Sequence, residues 1–266
     1  MSRSNIDNQN SQFWNELCGT SLASALGIIE ISVENLRRFD DAYFEYYPYL
    51  KKNITNENLV NKKVLEIGLG FGTLGQFIAT QNCDYYGLDI ASNAVSMMNY
   101  RLIQLNKDRD INSNKRVQLG SALEIPYPDS CFDYVYSIGC LHHTGNLSIA
   151  IDEVYRVLTP KGIAIIMLYN LNSFRQFLIK IRNRASDKEL VRAMYDANLN
   201  GESAPYTDYI SSKQCRYLLN KFANVKIDIQ NFDPLTLREK TLIERNLLLN
   251  NVGRLFGLDL YINATK

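Results

Sequence analysis

From Asn61 onward, short apolar runs alternate with longer segments of helical spacing, the pattern of strands buried on both faces and joined by crossover helices. The runs at 64–67, 85–88, 117–119, 132–138 and 163–168 predict five strands in that order. The clearest helix covers 147–158, where Leu147, Ala150, Ile151, Val154, Val157 and Leu158 fall on one face. Thr159-Pro160-Lys161-Gly162 then stops it and turns the chain into the fifth strand. Beyond Leu168 the alternation breaks into a stretch rich in Arg, Lys, Asn and Tyr, which reads as an insertion over the active site. A helix and strand at 212–229, a helical stretch near 242–255 and a last strand at 258–262 complete a seven-stranded, mostly parallel sheet with helices on both faces. The N-terminal segment reads as helices over the sheet's ligand-binding edge, with Trp14, Tyr43, Phe44, Tyr46 and Tyr47 as large apolar surfaces. The expected organisation is a helical cap over 1–60, a binding core over 61–170, and an insertion and C-terminal part of the same α/β domain over 171–266.

A chain of 266 residues is long enough to bury a substantial core. Its 29 Lys and Arg against 28 Asp and Glu leave a net charge of +1, far from the basic footprint that nucleic acid demands. A small-molecule substrate fits better. The five cysteines, Cys18, Cys83, Cys131, Cys140 and Cys215, are odd in number and widely spaced, which argues against a disulfide framework or a zinc site. They predict reduced thiols, no metal and a cytoplasmic location. The most apolar stretches, 22–29 and 163–169, fall well short of the roughly 20 residues a membrane span needs. The first residues also lack the order of a signal peptide, so no membrane association is expected. Oligomeric state stays open.

Val64-Leu65-Glu66-Ile67 runs into Gly68-Leu69-Gly70-Phe71-Gly72-Thr73, a strand, a glycine turn and the start of a helix. Such a turn lets a ligand approach the backbone at the carboxyl end of the first strand, where open α/β sheets bind. The dinucleotide fingerprint G-x-G-x-x-G fails, because Thr73 stands at its last position, and pyrophosphate is thereby disfavoured. Glu66 ends an otherwise apolar strand and needs a partner or a functional reason. Asp89 follows the next strand about 20 residues on, where a carboxylate can accept from both ribose hydroxyls. Capping of the next helix is the simpler use of Asp89, with Ser92 as an alternative cap.

Glu66-x-Gly68-x-Gly70, Asp89, Gly120-Ser121-Ala122-Leu123-Glu124-Ile125-Pro126-Tyr127, Phe132-Asp133-Tyr134-Val135-Tyr136-Ser137, Leu141-His142-His143-Thr144, Glu153-Val154-Tyr155-Arg156-Val157-Leu158, Pro160-Lys161-Gly162 and Met167-Leu168-Tyr169-Asn170 come in one order. Together they resemble the class I S-adenosylmethionine (SAM) dependent methyltransferases of the type 11, UbiE-like group, and the resemblance covers about 64–170. Phe13-Trp14-Asn15 with Cys18-Gly19, and Tyr46-Tyr47-Pro48-Tyr49-Leu50, look like the cap of a bacterial subgroup. The resemblance implies a Rossmann-like fold with SAM as cofactor. Gly68 and Gly70 would pass beneath the methionine moiety, Glu66 would orient that end, and Asp89, with Ile90 beside it, would hold the ribose. Many relatives carry an acidic residue for the adenine amino group where Ser121 stands; the serine hydroxyl and the backbone of Ala122 would meet the ring instead. Ser137 and Gly139 match positions whose backbone approaches the amino acid end.

Methyl transfer is an in-line displacement, so the protein must align donor and nucleophile and, where needed, remove a proton. The chain has two histidines, His142 and His143, next to each other after the fourth strand, and histidine is the side chain suited to proton transfer near neutrality. The expectation is that His142 faces the acceptor as general base while His143 turns toward the cofactor or the following loop; the pair could equally just shape that loop. Tyr169 and Asn170, ending the fifth strand, are candidates to position the acceptor. Trp14, Tyr43 and Tyr47 could close over the sulfonium through cation–π contact. Cys140 reads as core, and Lys180, Arg182, Arg184 and Arg192 read as a solvated basic face. The expected function is methylation of a small-molecule acceptor, a natural-product or glycan precursor, on oxygen rather than nitrogen or carbon. The alternatives are an NAD-dependent oxidoreductase and a non-catalytic SAM-binding protein.

Overall fold

The computed structural model describes residues 3–16, 21–55, 58–105, 116–181, 187–198, 200–237 and 240–266. Cys18, Gly19, Arg182 and Arg184 lie outside them. Helices α1 (Arg3–Trp14), α2 (Ser21–Ala25), α3 (Val33–Tyr46) and α4 (Leu50–Thr55) come first. The core follows as β1 (Lys63–Ile67), α5 (Thr73–Ala79), β2 (Asp84–Asp89), α6 (Ser92–Leu105), β3 (Val117–Leu119), β4 (Phe132–Ile138), α7 (Leu147–Val157) and β5 (Leu158–Tyr169). The rest comprises α8 (Phe174–Ile181), α9 (Lys188–Ala193), α10 (Ser212–Leu218), β6 (Asn224–Gln230), β7 (Leu235–Leu237), β8 (Lys240–Ile243), α11 (Arg245–Leu249), α12 (Gly253–Phe256) and β9 (Asp259–Thr265).

The main sheet has seven strands in the order β3-β2-β1-β4-β5-β9-β6, with β9 alone antiparallel to its neighbours. The seven expected strands are all present, and the fold is Rossmann-like. Alternate residues of β1 enter two different cores. Leu65 and Ile67 pack with Ala150, Ile151 and Val154 of α7. Val64 packs with Leu74 and Ile78 of α5 and Met98 of α6. Strands covered on both faces need apolar residues throughout, which is why their sequence runs were continuous. The chain changes direction between β1 and β4, and a crevice for ligand opens where their carboxyl ends diverge.

Two details differ from the sequence expectation. The fifth strand begins at Leu158, because Thr159–Gly162 bulges out of a register that runs from Phe132↔Leu158 to Tyr134↔Ile163. The stretch expected to be helical over 242–255 is the end of a β7–β8 hairpin followed by two short helices. Leu242, Leu247 and Leu255 of that stretch are exposed, so their spacing did not mark a buried face.

Two arginines dock α3. Arg101 of α6, 1% exposed, gives Nη1 and Nη2 to the two oxygens of Asp40 on α3 at 2.8 Å, and Nε to the Phe71 carbonyl at 2.6 Å. Thr73 Oγ1 donates to the same Asp40 at 2.6 Å, and Phe39 stacks on Phe71 with ring centroids 3.9 Å apart. Arg245 lies over the Tyr46 ring and donates to Asn231 Oδ1 at 2.8 Å. The glycine loop is thus clamped from above by the N-terminal segment.

Candidate active site

At the crevice lies a cavity of about 300 Å³, at the lower end of the range for small-molecule sites. Its floor is the glycine loop. Gly70 has φ 50°, in the left-handed region, and an added Cβ there would meet no atom within 4 Å, so this backbone fronts open space. Gly68, with φ 84°, is pressed by Cys140, whose Cβ would lie 2.3 Å from an added Cβ. Burial pushes the Cys140 thiol up to about 12, which fits its expected packing role and leaves no thiolate.

Glu66 reaches the same cavity from β1 and is 1% exposed. Tyr85 Oη donates to its Oε2. Burial pushes the carboxyl up to about 8; the Tyr85 hydrogen bond and Arg101 pull it down, and Asp89 raises it. Gly75 makes the room: a Cβ there would lie 2.3 Å from both Glu66 Oε2 and Tyr85 Oη. If Glu66 orients the cofactor's methionine end, as the resemblance implies, Gly75→Ala is expected to break that contact and weaken binding of S-adenosylhomocysteine (SAH), measured by calorimetry. A hydrogen bond to a charged group is worth about 1.5–3 kcal/mol, so the loss should be roughly tenfold or more.

Asp89 ends β2 with Oδ2 accepting from Leu69 N at 2.6 Å and Oδ1 from Ala91 N at 2.8 Å. Burial raises its carboxyl, and these amides counter the rise. None of these amides belongs to α6, so Asp89 ties the loop together rather than capping that helix. Ser92 does not cap; its hydroxyl donates to Asn15 Oδ1, which also accepts from Asn93 N at the start of α6. Ile90, Ser121, Ala122, Gly139 and Trp14 line the cavity with Glu66, Gly68, Gly70, Asp89 and His143. Ser121 Oγ also accepts from Leu123 N.

Besides His142, three expected site residues sit outside the cavity lining. Ser137 is fully buried beneath the loop, its hydroxyl donating to the Ile67 carbonyl at 3.0 Å, and Ile138 forms the wall in its place. Asn170 spends its side chain on the backbone: Nδ2 donates to the Gly257 carbonyl at 2.8 Å and Oδ1 accepts from Asn172 N. Tyr169 lies behind the wall, its hydroxyl 3.0 Å from both oxygens of Asp196, which does line the cavity.

His142 does not face the cavity as expected; His143 does. His142, 0% exposed, is sandwiched between His143 and Tyr169 with ring centroids 4.2 and 4.1 Å away. Burial, followed by the neighbouring His143, holds it well below the usual histidine range, so it stays neutral and outside the cavity. The one-turn helix Leu141–His143 turns the next ring inward instead. His143 is 4% exposed; its Nδ1 lies 2.8 Å from the Tyr206 carbonyl and its Nε2 3.6 Å from Asp196 Oδ2. A carbonyl can only accept, so Nδ1 carries the hydrogen and the lone pair of the neutral ring falls on Nε2. Asn10 of α1 donates to the His143 carbonyl at 2.7 Å, and the Trp14 ring lies 4.8 Å from the imidazole. Asp196, Tyr206, Tyr85 and Asn10 had no motif to mark them in the sequence; Gly75, at the start of a helix, was the one available hint.

The sheet order is that of the class I, Rossmann-like methyltransferase fold, with the cavity at its ligand crevice. Residues 65–166 match the family model described as Methyltransferase domain. Phosphoethanolamine N-methyltransferase 2 of Caenorhabditis elegans is 24% identical over 188 residues, 69% of this chain and 38% of the relative. The 27-O-demethylrifamycin SV methyltransferase of Amycolatopsis mediterranei is 32% identical over 101 residues, 38% of this chain and 36% of the relative. The chain thus spans less than two fifths of the length of either relative. Among solved structures, the magnesium protoporphyrin IX methyltransferase of Synechocystis PCC 6803 with bound SAH has a TM-score of 0.58 at 12% identity, covering 98% of this chain and 99% of that one. That likeness is one of fold. No helix among the described residues is long and apolar enough to cross a membrane, and none of their His, Cys, Asp and Glu cluster as a metal site.

Proposed function

We propose that this protein methylates a small-molecule acceptor with SAM, the acceptor lying against His143. The carrying observation is that the glycine loop, Asp89 and His143 line one cavity. The open space over Gly70 suits a ligand laid on the backbone, and the carboxylates Glu66 and Asp89 suit a cationic donor with a ribose. In this reading Glu66 receives the ammonium of the methionine end, Asp89 the ribose hydroxyls, and Ile90, Ser121 and Ala122 the adenine. When bound, SAM supplies an activated methyl group and leaves as SAH. Trp14 excludes water above the site, and His143 holds or removes the acceptor's proton at Nε2. The oxygen acceptor expected from sequence is compatible with such a base, and so is an amine. The spaced, odd-numbered cysteines support a reducing, cytoplasmic setting.

An NAD-dependent oxidoreductase is disfavoured, because a pyrophosphate would face Glu66 and Asp89 with no lysine or arginine among the described lining residues. Calorimetry with SAM, SAH and NAD tests the cofactor: SAM and SAH should bind and NAD should not. A gain of one methyl on an acceptor, found by mass spectrometry, separates a catalyst from a passive SAM binder. His143→Ala should lower turnover by about 10²–10⁴-fold, the usual range for a general base, whereas SAH affinity stays within about threefold, under 1 kcal/mol. Turnover that survives this change removes the base assignment.

A further inference from the structure

We propose that the acceptor is an amine, bound as its ammonium between Asp196 and the aromatic rings of the cap, and methylated on nitrogen. This rests on the reading of the cavity as a SAM and acceptor site, and it replaces the oxygen acceptor expected from sequence.

The charge of the lining comes first. Asp7, Glu16, Glu66, Asp89 and Asp196 all border the cavity, and no lysine or arginine does so among the described residues. Glu66 and Asp89 belong to the donor end, at the glycine loop. Asp196 stands apart from them, delivered by the segment after β5 and fixed by the Tyr169 hydroxyl, 3.0 Å from both its oxygens. A hydroxyl that bridges both oxygens orients the carboxylate without neutralising it. An anionic acceptor would meet repulsion from this carboxylate, whereas an ammonium would replace the water it loses with a fixed counter-charge.

The second observation is independent of charge. Nε2 of His143 is buried against the cavity and has no hydrogen-bond partner, although a buried ring nitrogen ordinarily has one. Nδ1 lies by the Tyr206 carbonyl and the Thr207 hydroxyl, and Nε2 lies 3.6 Å from Asp196 Oδ2, beyond hydrogen-bond reach, so an N–H placed between the two would meet both the imidazole and the carboxylate. Third, the walls are aromatic: Trp14, Tyr43 and Tyr47 line the cavity, with the Tyr43 and Tyr47 rings 5.1 Å apart. Ring faces stabilise cations, and the methylated product remains one.

The proton and electron balance is closed. The ammonium gives one proton to Nε2 of His143, and the freed nitrogen lone pair forms the N–C bond as the methyl bond to the sulfonium sulfur breaks, its electron pair remaining on sulfur. The products are a methylated ammonium and neutral thioether SAH, with the His143 proton passing to water.

The test uses the full chain loaded with SAH, titrated calorimetrically with benzylamine, benzyl alcohol and benzoate, which differ only in the polar group. Benzylamine should bind at least tenfold more tightly than benzyl alcohol, and benzoate most weakly of the three. Asp196→Asn should abolish the preference for the amine with SAH affinity unchanged, which also reports that the variant is folded. Absent amine binding, an alcohol or carboxylate bound as well as the amine, or a preference that survives Asp196→Asn, overturns the amine assignment while SAH binding stands. Failure of SAH itself to bind would instead overturn the underlying reading of the site, and the amine with it.

Discussion

Replacing Asp40 with alanine is expected to lower the unfolding free energy by about 3–5 kcal/mol, the cost of leaving one member of a buried ion pair without its partner. The guanidinium of Arg101 is the better buried member, with its side chain 1% exposed against 18% for Asp40. It would keep the Phe71 carbonyl and Gln76 Oε1 but no countercharge among its bonded neighbours. For a chain of this size each kcal/mol moves the melting temperature by about 2–4 °C, so a drop of roughly 10 °C should appear in calorimetric melting. Arg101→Met should cost less than half as much, because it removes the buried charge and leaves the more exposed carboxylate with Thr73 Oγ1 still donating to it. Equal losses from the two variants would mean that the pair acts through packing rather than charge.

The second large effect concerns pH and cofactor affinity. With its carboxyl pushed up to about 8 by burial, Glu66 is mostly protonated in the free protein at pH 6, and only the ionised form attracts an ammonium. SAH affinity should therefore fall by up to about tenfold for each pH unit below 8, reaching roughly 100-fold at pH 6. Stability of the free protein runs the other way. A carboxyl raised in the folded state contributes fully below its ordinary value of about 4.3 and loses that contribution as pH rises through the folded value. The free protein should thus lose stability between about pH 5 and 8 from this group, and the thermal gain on adding SAH should be larger at pH 8 than at pH 6. Titrations across that window with the native chain and Glu66→Gln check both statements. A native affinity that does not change with pH would remove the role given to Glu66.

What could be read from the sequence followed from local rules. The strands were legible because a sheet covered on both faces requires apolar residues at every position, as in β1 and β4. The glycine loop was legible because its backbone conformation leaves few substitutes. Pairings across long separations were not. Asp40 and Arg101 lie 61 positions apart, and neither looks unusual where it stands. Asp196 is one acidic residue in a polar insertion. The two histidines differ by a single position, and the one-turn helix and Tyr206, 63 residues beyond His143, determine which ring enters the cavity. Asn170 was misplaced for a related reason: its position at a strand end was right, but the Gly257 carbonyl that claims its side chain comes 87 residues later.

The hydrogen bond from His143 to the Tyr206 carbonyl ties two evolutionary problems together. The segment that carries Asp196 and Tyr206 is where a new acceptor would be accommodated by insertion, deletion or substitution, since loops of this kind change most readily. Yet the same segment decides which nitrogen of the imidazole is basic. A graft that imports a relative's loop to gain its acceptor would also reset the proton chemistry, and would be catalytically silent unless a backbone oxygen returned to the same spot. Under the proposed function, specificity and reactivity would therefore be inherited together.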